Sequence, residues 1–188
     1  MTVLSIQLTK EDFYQFSYYT SWAASWNSRK RLIYYCRNTL SAAIGSLLGI
    51  YLLERTISVT AILVVSVFLL LLNFLALPAW VRRFYRKHVE KFSSNPSNSS
   101  VFLKTQLTIN EKGIESKDDV STTIHSWAAF VEKVETEDFF YLYLSSQLGL
   151  VIPKRTFASQ KEKVEFENLL LKYFPLQAEL EHIKKAGW

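Results

Sequence analysis

The sequence predicts an α+β membrane protein: a two-helix transmembrane hairpin, then an antiparallel β-barrel or sheet capped by a C-terminal helix. Three observations carry this. Residues 56–80, TISVTAILVVSVFLLLLNFLALPAW, run 25 residues without a charge. Residues 1–100 hold 11 Lys/Arg against 4 Asp/Glu, whereas 101–188 hold 11 against 13, so the basic half is also the apolar half. Beyond residue 100, short period-two runs alternate with turn residues and end in one helical pattern. The charge split removes the nucleic-acid reading that the overall +5 invites. One cysteine rules out a disulfide scaffold, and His88, His125 and His182 have no metal-ligand spacing.

Residues 1–31 read as an N-terminal strand and a juxtamembrane amphipathic helix. Residues 2–8 alternate, with Ile6 and Leu8 apolar. Thr9 and Asp12 stand at the two ends of a capping box, and Leu8 and Phe13 at the positions of a hydrophobic staple. Tyr14, Tyr18, Trp22 and Trp26 follow at four-residue spacing, which puts them on one helix face. That face lies on lipid headgroups or packs on a soluble domain.

Residues 32–53 form the first expected span and 56–80 the second. A 25-residue helix rises about 37 Å, enough for a hydrocarbon core of about 30 Å with some tilt. The first span includes Arg37, which near a helix end can snorkel. Ser41, Gly45 and Gly49 recur every four residues on the first helix. Small residues let helices approach closely in lipid. They pack on the second helix of the hairpin or form a homodimer seam. Arg29, Lys30, Arg31 and Arg37 precede the first span; Arg82, Arg83, Arg86, Lys87 and Lys91 follow the second. By the positive-inside rule both termini are expected in the cytoplasm. Trp22, Trp26, Tyr34, Tyr35, Trp80 and Tyr85 stand where interfacial aromatics belong. No signal peptide is expected, since no cationic start leads into an apolar run.

Residues 81–100 read as a basic juxtamembrane segment and linker, ending in SSNPSNSS. The cytoplasmic domain is expected at 101–175. Its strands are placed at 101–109, 113–116, 120–126, 127–135 after a short turn, 139–144 and 148–152, as a meander. Ser159 and Glu162 form a capping box, and Val164, Phe166, Leu169, Leu170 and Tyr173 line one face of the last helix. A curved sheet closed by such a helix resembles a pleckstrin-homology-like (PH-like) barrel. Residues 176–188 are expected to form a C-terminal helical tail.

Taken together, Gly113-Ile114, Trp127, Val134-Glu135-Thr136, the run from Phe140 to Tyr143, Ile152-Pro153-Lys154-Arg155 and Phe157 resemble the YcxB-like family. The resemblance implies two transmembrane helices with a C-terminal PH-like domain in a bacterial inner (plasma) membrane. It implies no catalytic residues.

Lys154 and Arg155 follow a strand end and are candidates for binding an anion or a partner, although adjacent strand residues point to opposite faces. Trp127 is expected to fill the end of the barrel, His125 to face outward, and Asp118 and Asp119 to sit in a solvated turn. No phosphate loop, GxSxG or HExxH occurs, so no catalytic residue, metal site or cofactor is expected. The expected function is a membrane-anchored interaction module binding a protein segment or lipid headgroups at the cytoplasmic face. The alternative is an oligomeric membrane component assembled through Ser41, Gly45 and Gly49.

Overall fold

The computed structural model describes residues 2–53 and 59–174. The alternation of residues 2–7 forms β1 (Thr2–Gln7), which buries Thr2, Leu4 and Ile6 and turns Val3, Ser5 and Gln7 outward. Its partner is β2 (Lys104–Asn110), on the far side of every intervening helix. The two run antiparallel, with Thr2 opposite Ile109 and Gln7 opposite Lys104. Two hairpins then add β3 (Gly113–Lys117) and β4 (Thr122–Ser126). The first sheet therefore runs β1-β2-β3-β4, and its N-terminal strand comes from the other end of the chain.

The second sheet runs β5-β6-β7, from Glu132–Glu135, Phe139–Tyr143 and Gly149–Pro153. A short 3-10 turn, Trp127–Ala129, separates the two sheets, so the expected single meander is broken there. Inward residues of both sheets share one core with Phe166 and Leu170 of the last helix, α4 (Gln160–Tyr173). Ser159 Oγ accepts from the Glu162 N–H at 3.2 Å, and Glu162 reaches back to the Ala158 N–H at 2.6 Å. That is the expected cap with its return bond displaced by one residue.

All five residues of β6 are buried. A half-exposed antiparallel strand would alternate, so something must cover its second face. Phe140 and Leu142 face the common core. Tyr141 and Tyr143 lie 5.4 and 5.8 Å from the ring of Phe16 on α1 (Lys10–Tyr18). The N-terminal segment thus completes one sheet and covers the other. The expected capping box starts α1: Thr9 Oγ1 accepts from the Asp12 N–H at 3.2 Å, and Asp12 accepts from the Thr9 N–H at 2.7 Å. Phe13 stacks on Phe92 at 4.7 Å.

By its internal contacts the chain divides into two compact units, one from Met1–Phe16 with Val89–Trp188, the other Ser17–His88. In the second unit, a π-helical turn (Tyr19–Ala23) and a 3-10 turn (Ser25–Asn27) interrupt the expected continuous stripe of Tyr14, Tyr18, Trp22 and Trp26. Trp22 is buried while Trp26 is exposed. Asn27 fixes this break by donating to Thr20 O at 2.7 Å. The long helices are α2 (Ser28–Leu53) and α3 (Val59–Ser93). Tyr35 and Phe74 meet between them at 5.8 Å.

Among the described residues one helix is long and apolar enough to cross a membrane, over Val64–Ser93. α3 also passes through Pro78 and continues through the basic juxtamembrane segment to Ser93. Residues 101–102 close a 3-10 helix, Pro96–Phe102, instead of opening a strand. Pro96 presets its first φ, and Asn95 caps it by accepting from the Ser97 N–H at 3.1 Å. The expected hairpin tip at 54–56 and the tail at 176–188 lie outside the described residues.

Gly113 has φ +149°, and a Cβ there would lie 2.0 Å from the backbone oxygen of His125. No small rotation relieves a clash with the paired strand. Gly113→Ala is expected to lower stability by about 1–3 kcal/mol from the backbone conformation alone. The thermal midpoint of the detergent-solubilised chain, against Gly149→Ala as a comparison, checks this.

Candidate functional site

Lys154 and Arg155 leave β7 just past Pro153 and occupy a 3-10 turn, Lys154–Thr156, rather than strand positions. The turn is pinned by Thr156 Oγ1 donating to Pro153 O at 2.6 Å and by the Lys154 N–H donating to Asp138 O at 2.8 Å. Each cation meets a different carboxylate. Lys154 Nζ lies 2.7 Å from Glu135 Oε1 and 5.0 Å above the Phe140 ring. Arg155 makes a two-pronged pair with Asp12: Nη1 donates to Oδ1 at 2.7 Å, and Nη2 donates to Oδ2.

Asp12 is almost wholly buried, and it also accepts from the backbone N–H and the hydroxyl of Thr9, at 2.7 and 2.8 Å. Burial acts to raise its pKa. The bonds from Arg155 and Thr9, with the guanidinium charge, outweigh that and hold the carboxyl below its usual value of 3.8. Hydrogen bonding to Asp12 in turn raises the pKa of Arg155. Nothing local in the sequence marks this pair, because its members are 143 positions apart.

Among the described residues, no heavy atom lies within 4 Å of a Cβ added at Gly45 or Gly49. Trp127 fills the end of the core as expected, and its indole N–H donates to Asn110 O at 2.9 Å. His125 does not face outward: it is half-buried, with its ring 5.9 Å from that of the fully buried Phe130. Asp118 shapes its turn by accepting from the N–H groups of Val120 and Ser121 at 2.8 and 2.7 Å. Those two bonds lower its pKa.

The feature that residue-by-residue reading missed is β4. It pairs with β3 on one side and, among the described residues, with no strand on the other. Its flank is apolar and open, with Val120 76% and Ile124 70% exposed. From 120 to 131 the chain carries no acidic or basic residue other than His125. Natural edges usually carry a charge, a proline or a bulge that prevents pairing with another chain; this one carries no formal charge and no proline. The uncharged run is visible in the sequence, but its place at an edge is not.

The Asp12–Arg155 pair sets a pH dependence. Its carboxyl titrates lower in the folded chain than in the unfolded one, so its stabilisation is present above about pH 3.8 and is lost as pH falls through the lower, folded value. Asp12→Asn is expected to cost about 2 kcal/mol, within the range for charge-assisted hydrogen bonds and limited by solvent at the half-exposed Arg155. Thermal unfolding between pH 3 and 7 checks it: the gap between wild type and variant should narrow toward pH 3.

Residues 109–170 match the family described as YcxB-like protein. No curated protein and no solved structure matches the chain significantly. The match begins inside β2 and ends within α4, so it spans both sheets without β1 or α1. The sequence resemblance and the family match agree: residues 109–170 of this chain are a YcxB-like family domain.

Proposed function

We propose that this chain is a membrane-anchored interaction module without catalysis of its own, and that it captures an extended protein segment by strand addition at β4. The carrying observation is the open, uncharged β4 edge flanked by the exposed Val120 and Ile124. Main-chain hydrogen bonds to such an edge supply affinity, and side chains in alternate positions supply selectivity. The pairing of Lys154 with Glu135 and of Arg155 with Asp12 weighs against these cations as the primary anion site.

Two sheets ordered β1-β2-β3-β4 and β5-β6-β7 with one closing helix support a PH-like reading of the domain. The long apolar α3 supports anchoring in a membrane. In this reading α2 accompanies it as the other arm of a hairpin, and the flanking cations keep the domain and both termini on the cytoplasmic side of a bacterial inner membrane.

A photo-crosslinking residue at Thr123, used in intact membranes, tests the edge. A reproducible foreign protein is expected, and Ile124→Lys should reduce it at least severalfold. Capture of this chain alone would reject the partner reading.

A second reading is supported by the room at Gly45 and Gly49 among the described residues: an oligomeric membrane component joined through Ser41, Gly45 and Gly49. It predicts that Gly45→Leu combined with Gly49→Leu disperses a detergent-stable oligomer seen by light scattering. A monomeric wild type ends it.

A further inference from the structure

The Ser17–His88 unit is strongly charge-segregated. It contains nine Lys/Arg and one acidic residue, Glu54, while the rest of the chain contains 13 Lys/Arg and 16 Asp/Glu. Apart from Arg55, these cations lie in the first half of α2 and the last part of α3. Two of them are engaged inside the unit. Arg31 donates to the carbonyls of Trp22 and Ala24, the latter at 2.8 Å. Arg37 lies 5.6 Å from the centre of the Tyr34 ring. Arg29, Lys30, Arg82, Arg83 and Lys87 are exposed, and among the described residues none of the five forms an ion pair. In the other unit Lys154, Arg155 and Lys163 each have a carboxylate.

Exposed cations on a wet surface need no explanation. These five share their helices with exposed hydrocarbon. On α3, Leu72, Leu75 and Trp80 are exposed just before Arg82, and Phe84 just after Arg83; on α2, Leu32 and Ile33 follow Lys30 closely. From Val64 to Val81, α3 rises about 27 Å, close to a hydrocarbon core of about 30 Å. From Arg82 to Lys87 it rises about 7.5 Å, and the headgroup region of one leaflet is roughly 5–7.5 Å deep. A matching partner must present a thick apolar layer bordered by a thin anionic one. A lipid bilayer with a leaflet rich in anionic headgroups presents both.

We infer that Arg29, Lys30, Arg82, Arg83 and Lys87 form a docking surface for the headgroups of anionic phospholipids, which the unit selects over zwitterionic ones. This rests on the membrane reading above. Among the described residues the five cations have no carboxylate to displace, so a lipid phosphate meets an unneutralised charge. Trp80 and Phe84 border Arg82 and Arg83, where aromatic side chains favour the interface.

The test uses the full chain in vesicles of phosphatidylcholine and phosphatidylglycerol at three to one, with pure phosphatidylcholine as comparison. Flotation first reports whether the chain enters either vesicle. Mild detergent extraction and mass spectrometry then give the ratio of retained lipids. The expected result is flotation with both vesicles and, from the mixed vesicle, a retained ratio of phosphatidylglycerol to phosphatidylcholine about fivefold above input, the scale of one well-placed cation. The variant Arg82→Gln, Arg83→Gln, Lys87→Gln should return the ratio to about its input value. Arg82→Lys with Arg83→Lys should keep the enrichment, and raising the salt on wild-type protein should reduce it. Flotation with unbiased retained lipid overturns this inference and leaves the membrane reading standing. Flotation with neither vesicle overturns the membrane reading, and this inference with it.

Discussion

The docking of residues 2–16 is the constraint on which the β-domain depends. β1 supplies Leu4 and Ile6 to the common core, and α1 lays Phe16 over Tyr141 and Tyr143 on the outer face of the second sheet. The Asp12–Arg155 pair ties this segment to the turn after β7, and Asp12 also caps the helix that carries Phe16. A buried carboxylate with one partner removed is costly. Here both oxygens are satisfied, one set of bonds being local through Thr9 and the other joining the two ends of the domain. The pair therefore acts as a register mark between the N-terminal segment and the turn after β7.

A topological consequence follows. β1 and β2 are neighbours in one sheet, yet all of α1, α2 and α3 lies between them in sequence. The long helices are thus an insertion within a strand pair rather than a leader ahead of a domain. Closing so long a connection costs entropy before the pairing returns any free energy, although the cost grows only slowly with length. The family match begins near the end of β2 and takes in β3 to β7 and most of α4, but not β1.

Charge is distributed unevenly over the molecule. In the β-domain the cations of the Ile152-Pro153-Lys154-Arg155 element are held by carboxylates, and the open surface at β4 is free of formal charge. In the Ser17–His88 unit, cations stand next to exposed hydrocarbon with almost no acidic residues nearby. The first arrangement is the one on which the proposed peptide recognition rests, and the second the one on which the proposed lipid docking rests.

The sequence by itself determined the local elements. The capping pairs Thr9/Asp12 and Ser159/Glu162, the alternation of residues 2–7, the glycine at 113 and the long uncharged run before Trp80 are short-range signals, and each appears as an element end, strand, turn or helix close to its expected place. It fell short where one residue's environment is set by distant ones. Five buried residues in β6 cannot be read from FFYLY alone, because α1 covers the face that would otherwise meet water. Lys154 and Arg155 looked available only while Glu135 and Asp12 were out of view. The apolar pattern of residues 120–126 marked a strand, but only the order of the sheet made it an edge. Propensity and capping act within a few residues, whereas ion pairing, coverage and edge position are properties of contacts between segments far apart in the chain, and those the tertiary structure alone decided.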